Sequence, residues 1–248
     1  MSQSLGRALD LLGLIARGIT TLDPLATELG VHKTTVLRLL QTMEQRGFVG
    51  RDSHHRYRIG PAVLALASGA LDALDVRGAA GPELRALAAE TGQTVHLATY
   101  DDGVATYVDK VESRQPLRMY SRIGLPAALH ATAVGKVLLG GLDAPERRAV
   151  VSGLDFERFT DRTITTPEAL LAEVERSVRR GWAQDHEEHE TFMNCVGAPV
   201  RGPDGRVVAA ISISVPNVVL PYEGVVELLP ALQAAAGRVS AELGARAA

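Results

Sequence analysis

The chain has 248 residues, 46% hydrophobic and 22% charged, an ordinary globular composition that excludes wholesale disorder and leaves room for one large domain or two smaller ones. Its net charge of −3 points by itself to neither a nucleic-acid nor a membrane partner. No window approaches the roughly 18 unbroken apolar residues of a spanning helix, and the best, residues 207–215, is interrupted by Ser212 and Ser214 and reads as a strand. The first residues lack the cationic patch, smooth apolar core and cleavage site of a secretory leader. Cys195 is the only cysteine, which excludes an internal disulfide and an all-cysteine metal site, and a reducing cytoplasm fits best.

Charge is distributed unevenly. Residues 1–60 hold eight Lys or Arg against five Asp or Glu, a balance of +3, which leaves −6 for the remainder. A basic head on an acidic body is the asymmetry expected when one part alone meets a polyanion. Within the head, Leu5, Leu9, Leu12 and Ile15 recur at three- and four-residue spacing, so residues 5–16 read as an amphipathic helix with that stripe inward. A second helix, capped by Thr21 or Asp23 with Pro24 in its first turn, turns Leu25, Ala26 and Leu29 inward and stops at Gly30.

Residues 33–46 form a third helix on the stripe Val36, Leu39, Leu40 and Met43, and the pair joined by a glycine turn is a helix-turn-helix. Its outward groups are hydrogen-bond donors: His32, Lys33, Thr34, Thr35 and Arg38. A helix fits the major groove, and the first residues of a recognition helix reach base edges and phosphates. Phe48 and Val49 open a strand, a polar turn carries Arg51, and Arg56 to Ile59 return, which makes a wing with Arg51 and Arg56 as further DNA contacts. The alternative is a three-helix protein-binding module with a polar face.

Residues 61–80 read as a connector helix opened by Pro61, whose Val63, Leu64, Leu66, Ala67, Ala70, Leu71 and Leu74 form a wide apolar surface. Either its own domain or the same helix of a second subunit covers it, and a two-fold dimer suits paired half-sites. Pro82 is expected to start a further helix ended by Gly92. In the body, residues 81–248, strands at 94–100 and 104–111 make a hairpin across Asp101-Asp102-Gly103. A strand at 117–123, helices at 129–139, 145–152 and 167–180, a hairpin of 196–200 and 207–215, and a last helix from about Tyr222 to Leu243 complete an α+β domain on an antiparallel sheet.

Several motifs fail as chemistry. Residues 131–137, ATAVGKV, end in Gly-Lys, yet the first glycine of a phosphate loop is His130 and its magnesium-binding hydroxyl is Val137. The histidines of Asp185-His186-Glu187-Glu188-His189-Glu190 are three apart, whereas a zinc-protease helix needs four, so a solvated acidic turn is the default. No metal or other cofactor is implied. Cys195 enters an apolar strand, where a free thiol more often behaves as a small hydrophobe than as a nucleophile. A ligand cradle is the better reading: a helix start near Thr132 favours an anion, and Ser212 and Ser214 point to one strand face. They could equally be the polar face of a half-exposed strand.

Residues 124–139, GLPAALHATAVGKVLL, and 180–216, RGWAQDHEEHETFMNCVGAPVRGPDGRVVAAISISVP, resemble the signatures of the IclR family of bacterial transcription regulators. The head segment LGVHKTTVLRLLQTMEQRGFV is similar to that family's winged helix-turn-helix. The resemblance implies a GAF-like α/β body that binds a small organic acid, carboxylic or aromatic, and so tunes affinity for operator DNA. It also implies a homodimer built on the connector and pairing into a homotetramer. The residues it assigns to the effector are Ala133, Val134, Asp185, Cys195, Ser212 and Ser214. Two departures stand out: Ala128 replaces the proline usual before the Leu-His pair, and Thr191-Phe192-Met193 adds bulk that could line the cavity. Whether the protein acts as a repressor or an activator depends on where its operator lies. The rival reading is an enzyme using Cys195, Asp185 and a histidine, with the head as a targeting module.

Overall fold

The computed structural model describes residues 3–72, 75–113 and 121–245, which divide into two compact units with the boundary between Ala73 and Leu74. In the first unit, helices α1 (Gln3–Ala16), α2 (Leu22–Leu29) and α3 (Lys33–Gln45) precede a hairpin of β1 (Val49–Arg51) and β2 (Tyr57–Ile59), followed by α4 (Pro61–Asp72). Leu25, Val36, Leu40 and Met43 meet Leu11, Leu14 and Ile15 in one core, which Val49 and Tyr57 close from the hairpin. Gly30 ends α2 in the left-handed conformation (φ 62°), with its N–H turned back on the last carbonyls of that helix. The unit is a helix-turn-helix with a wing.

One expectation for this unit needs correction, and one alternative narrows. Leu5 and Leu9 are 62% and 59% exposed, while Leu11 and Leu14 are buried. A helix with leucine at 5, 9, 11, 12 and 14 offers two overlapping stripes, and the one rotated toward Leu11 and Leu14 meets the core. On α4, Leu64 and Leu66 stand 70% and 62% exposed, so packing on their own domain does not cover them. Ala67, Ala70, Leu71 and Leu74, also expected on that surface, lie outside the residues whose side chains are described.

The second unit is built on a six-stranded antiparallel sheet in the order β5-β4-β3-β8-β7-β6. The strands are β3 (Thr94–Asp101), β4 (Val104–Val111), β5 (Pro126–Ala127), β6 (Ala183–His186), β7 (Met193–Arg201) and β8 (Val207–Pro216). Helices α5 (Asp75–Thr91) and α10 (Leu229–Glu242) pack on each other and on one side of the sheet. On the other side lie α6 (Ala133–Gly141) and α8 (Pro167–Arg180), with α7 (Ala144–Ser152) against α8; the short α9 (Tyr222–Val226) precedes α10. Leu129, Val134, Val137, Leu138, Leu170 and Val174 fill the space between α6, α8 and the sheet.

Here too the sequence expectations shift. Pro82 lies inside α5, not at its start; a helix can carry an internal proline at the expense of one backbone bond when packing compensates. Of the strand expected at 117–123, residues 117–120 lie outside the described residues and 121–123 are not a strand. Pro126–Ala127 pairs with β4 instead. The helix expected from Leu129 begins only at Ala133, because Thr132 caps it by accepting from the Gly135 N–H at 3.1 Å. The last helix is broken into α9 and α10 ahead of Pro230.

Candidate functional site

On the first unit, α3 presents the expected donors. His32 is its cap: Nδ1 accepts from the Thr34 N–H at 3.4 Å and lies 2.9 Å from the Thr34 hydroxyl. Thr34 and Arg38 are exposed and Thr35 half-buried. Lys33 is paired with Asp23 at 2.7 Å and Arg56 with Asp52 at 2.9 Å, whereas Arg38 has no ion partner among the described residues. Such exposed pairs are worth at most about 1 kcal/mol, so a phosphate can displace the acid. In the wing, Asp52 accepts from the backbone N–H groups of His54 and Arg56. Arg51 lies over the Tyr57 ring, 5.0 Å from its centre. Asp52 thereby holds a basic hairpin tip in shape, and Arg51 reaches Glu44 near the end of α3 at 4.0 Å.

The second site grows out of strand register. Across β6, β7, β8 and β3, Asp185 pairs with Cys195, Cys195 with Ser214, and Ser214 with Thr94. Directly paired residues of an antiparallel sheet project to one face, so these four side chains form a row. The next row on that face runs Ala183, Gly197, Ser212, His96 and Lys110. Ser212 and Ser214 are each 3% exposed and Cys195 5%, so they are not the polar side of a half-exposed strand.

The start of α6 sits on this face. A β-carbon built on Gly197 would stand 3.2 Å from the carbonyl carbon and oxygen of Ala133, so the absent side chain is what lets the helix approach. Thr132 satisfies the Gly135 amide; the amides of Ala133 and Val134 are the first-turn donors that the helix does not itself use. The six residues expected to hold an effector, Ala133, Val134, Asp185, Cys195, Ser212 and Ser214, thus converge on one buried locus. Of the bulky insert, Met193 is buried while Thr191 and Phe192 stay exposed, so only Met193 adds to the interior. A groove of about 470 Å³ between β7 and α10, lined in part by Ala198, Gln233 and Ala236, touches none of these residues. Convergent chemistry, not open volume, marks this locus as the candidate site.

Its electrostatics correct the reading of a solvated acidic turn. Asp185 and Glu188 are buried. Asp185 Oδ1 accepts from the N–H groups of Glu188 (2.8 Å) and His189 (3.3 Å). Burial pushes its pKa up to about 7, with Lys136 opposing and Glu188 adding to the rise. Lys136, fully buried on α6, donates to Glu188 Oε1 at 2.5 Å and to the Gln184 carbonyl at 2.7 Å. Burial drives the Cys195 thiol well above its ordinary pKa, reinforced by Asp185. The same cause holds His96 down to about 3, with Lys110 adding to it, so its imidazole is neutral. Its Nε2 lies 2.7 Å from the Ser121 hydroxyl and its Nδ1 3.4 Å from Ser214 Oγ.

Sequence reasoning missed His96, Lys136 and Glu188 as parts of this site. His96 carries a signal in hindsight: it is the one ionisable group among the first six residues of TVHLATY, on the face that also carries Thr94. No local pattern marks Lys136, whose partner lies 52 residues away.

Comparison with known proteins places both units. Residues 68–241 match the family model of the bacterial transcriptional regulator IclR C-terminal domain, and residues 4–53 match the IclR helix-turn-helix domain. The chain is 36% identical over 215 residues to the HTH-type transcriptional regulator KdgR of Escherichia coli (strain K12), covering 86% of this chain and 82% of the relative. The crystal structure of Thermotoga maritima IclR superposes with a TM-score of 0.83 at 30% identity, over 98% of this chain and 100% of that one. An IclR homologue from Microbacterium hydrocarbonoxydans, complexed with 4-hydroxybenzoate, shares the fold at a TM-score of 0.85 and 22% identity, over 97% and 99% of the two chains. With both domains matched in order and the regulator relatives aligned across most of their length, the chain belongs to the IclR family of bacterial transcriptional regulators.

Proposed function

We propose that the protein binds operator DNA through α3 and the wing, and that a small organic acid held against the sheet of the second unit sets the strength of that grip. The observation that carries the reading is the convergence of the α6 start, Ser212, Ser214, Asp185 and Cys195 on one buried locus. Two serine hydroxyls and the first-turn amides of a helix are donors suited to a carboxylate. A homologue of the same fold complexed with 4-hydroxybenzoate supports an acid of that kind.

Under this reading His32, Lys33, Thr34, Thr35, Arg38, Arg51 and Arg56 meet the DNA, Arg38 by a two-pronged contact to guanine and the others at phosphates and flanking base edges. Residues 1–60 form the reading head, 61–80 the connector, and 81–248 the effector domain. The exposed leucines of α1 and α4 support a dimer joined near the head, and a pairing of dimers suits tandem sites. Because the cradle residues are closed to solvent, an effector can reach them only if the surrounding packing opens. Effector binding therefore selects a different arrangement of the second unit, and by linkage DNA must change effector affinity by the same factor. No helix among the described residues is long and apolar enough to cross a membrane, and a cytoplasmic location beside the chromosome suits the role.

The enzyme alternative has less support: burial raises the pKa of the Cys195 thiol, which works against the thiolate a nucleophile needs. The test of the main reading is to sequence the genomic fragments the protein selects, then to ask which metabolites change its affinity for them. Ser214→Ala should weaken the ligand response while leaving ligand-free DNA binding unchanged; an unaltered response would displace the cradle.

A further inference from the structure

The arginines of the wing are not equivalent. In the hairpin register Val49 pairs with Ile59, Gly50 with Arg58 and Arg51 with Tyr57. Directly paired residues share a face and successive ones alternate. Val49 and Tyr57 therefore put their side of the hairpin, and Arg51 with it, against the core, while Gly50 and Arg58 stand together on the opposite side. Arg51 lies over the Tyr57 ring, donates to the Tyr57 hydroxyl at 3.1 Å and reaches Glu44 at 4.0 Å. Arg56 donates to Asp52 at 2.9 Å. Arg58 is exposed and has no ion partner among the described residues. Its position is fixed from below: a β-carbon built on Gly50 would stand 3.5, 3.5 and 3.6 Å from its Cζ, Nη2 and Nε. Near-equal distances to three atoms of one plane mean that the guanidinium lies broadside on the Gly50 backbone, where a branched side chain would lift it off. β2 is held on both edges, by β1 and by the Tyr57 N–H donating to the Thr20 carbonyl at 2.8 Å, so the charge sits on a rigid element.

Resting on the reading of the first unit as the DNA-binding head, we infer that Arg58 is a further DNA-contacting residue, which meets a backbone phosphate from the outer face of the wing, and that Gly50 is a positioning residue that keeps it flat. Lys33 and Arg56 must give up Asp23 and Asp52 before they pair fully with a phosphate, whereas Arg58 gives up nothing. The planar fork of a guanidinium matches a phosphate by two parallel bonds, and one already laid flat loses little freedom on binding. Because it lies across the hairpin and does not project from it, Arg58 is placed for the sugar-phosphate backbone and not for the floor of a groove. It adds affinity without adding sequence preference.

The probes are duplexes of random sequence, one A·T-rich and one G·C-rich, titrated with the full chain by fluorescence anisotropy from about 50 to about 200 mM salt. Arg58→Gln keeps the aliphatic stem over Gly50 and drops the charge. It should weaken binding to both duplexes alike, on the order of tenfold at low salt, and flatten the slope of log affinity against log salt by about 0.9, the contribution of one phosphate. Arg58→Lys should retain the slope; a slope lost there as well would trace the effect to packing on Gly50 and overturn the contact. Gly50→Val, which keeps the arginine but displaces it, should weaken binding at unchanged thermal stability, and native binding by this variant overturns the role of Gly50. Native affinity and slope in Arg58→Gln overturn the phosphate contact while leaving the head reading standing. A loss confined to the A·T-rich duplex makes Arg58 a minor-groove reader and overturns the phosphate assignment. A native chain that binds neither duplex at about 50 mM salt overturns the head reading and this inference with it. If Arg58→Gln does not fold, Gly50→Val decides the contact.

Discussion

Lys136 and Glu188 meet 2.5 Å apart inside the second unit, with the lysine side chain fully buried and the glutamate 8% exposed. The pair ties α6 to the turn that follows β6, the strand carrying Asp185, so two sides of the candidate cradle are joined by one ionic contact. Burial raises the glutamate's pKa and Lys136 opposes that rise.

Removing one partner from such a pair leaves a charge in the interior with nothing to compensate it. Lys136→Met should destabilise the second unit by about 3–5 kcal/mol, and Lys136→Met with Glu188→Leu should recover most of that loss. Urea unfolding of the native chain and the two variants measures both numbers. A double variant no more stable than the single one would mean that the pair contributes through geometry and not through charge balance.

Asp185 makes stability depend on pH in a defined direction. Its carboxyl titrates near 4 when unfolded and at about 7 when folded, so between these values the folded state binds more protons. Stability from this group is full below about pH 4, falls as pH rises toward 7, and is level above that. In Asp185→Asn that decline should vanish, and the difference between the two stability profiles isolates it from other groups. A difference that stays flat from pH 4 to 8 would place the carboxyl in a wetter setting than its burial indicates.

Gly197 carries the contact between sheet and helix. Because a β-carbon there meets backbone atoms of Ala133 at 3.2 Å, Gly197→Val should cost about 1–3 kcal/mol through overpacking. It should also blunt the effector response more than the loss of stability explains, since it lifts the helix amides away from Ser212 and Ser214. Thermal unfolding and effector titration on the same variant separate the two effects; a normal response would detach the start of α6 from the site.

For the head, Arg38→Ala should reduce operator affinity by about 1–3 kcal/mol and relax specificity at one base pair, with the oligomer unchanged by sedimentation. Lys33→Ala should instead weaken binding to all sequences alike. Gel-shift titration over a set of single-base operator variants distinguishes the two. Unchanged binding by Arg38→Ala would move the reading surface off α3.

What was legible in the sequence was what short-range patterning controls. The stripe Val36, Leu40 and Met43, the Gly30 cap and both body hairpins follow from period and turn chemistry, and they stand where expected. The face of α1 was misread because six aliphatic residues between Leu5 and Ile15 define more than one stripe, and only the packing partners choose. β6 went unseen because Ala183-Gln184-Asp185-His186 is short and polar, and its burial depends on Lys136 arriving from another element. Strand alternation pointed to Ser212 and Ser214, whereas Ala133, Val134, Asp185 and Cys195 came from family resemblance. Their common row is a matter of register, which no local segment reveals.

The account rests on coupling between the cradle and the head, and fluorescence anisotropy on a genomic fragment selected by the protein tests it most directly. Adding a metabolite extract should shift the affinity of the native chain by about 5–150-fold, and the Ser214→Ala variant, which binds the same fragment equally well without extract, should shift far less. An affinity for that fragment that no extract alters in the native chain would contradict it.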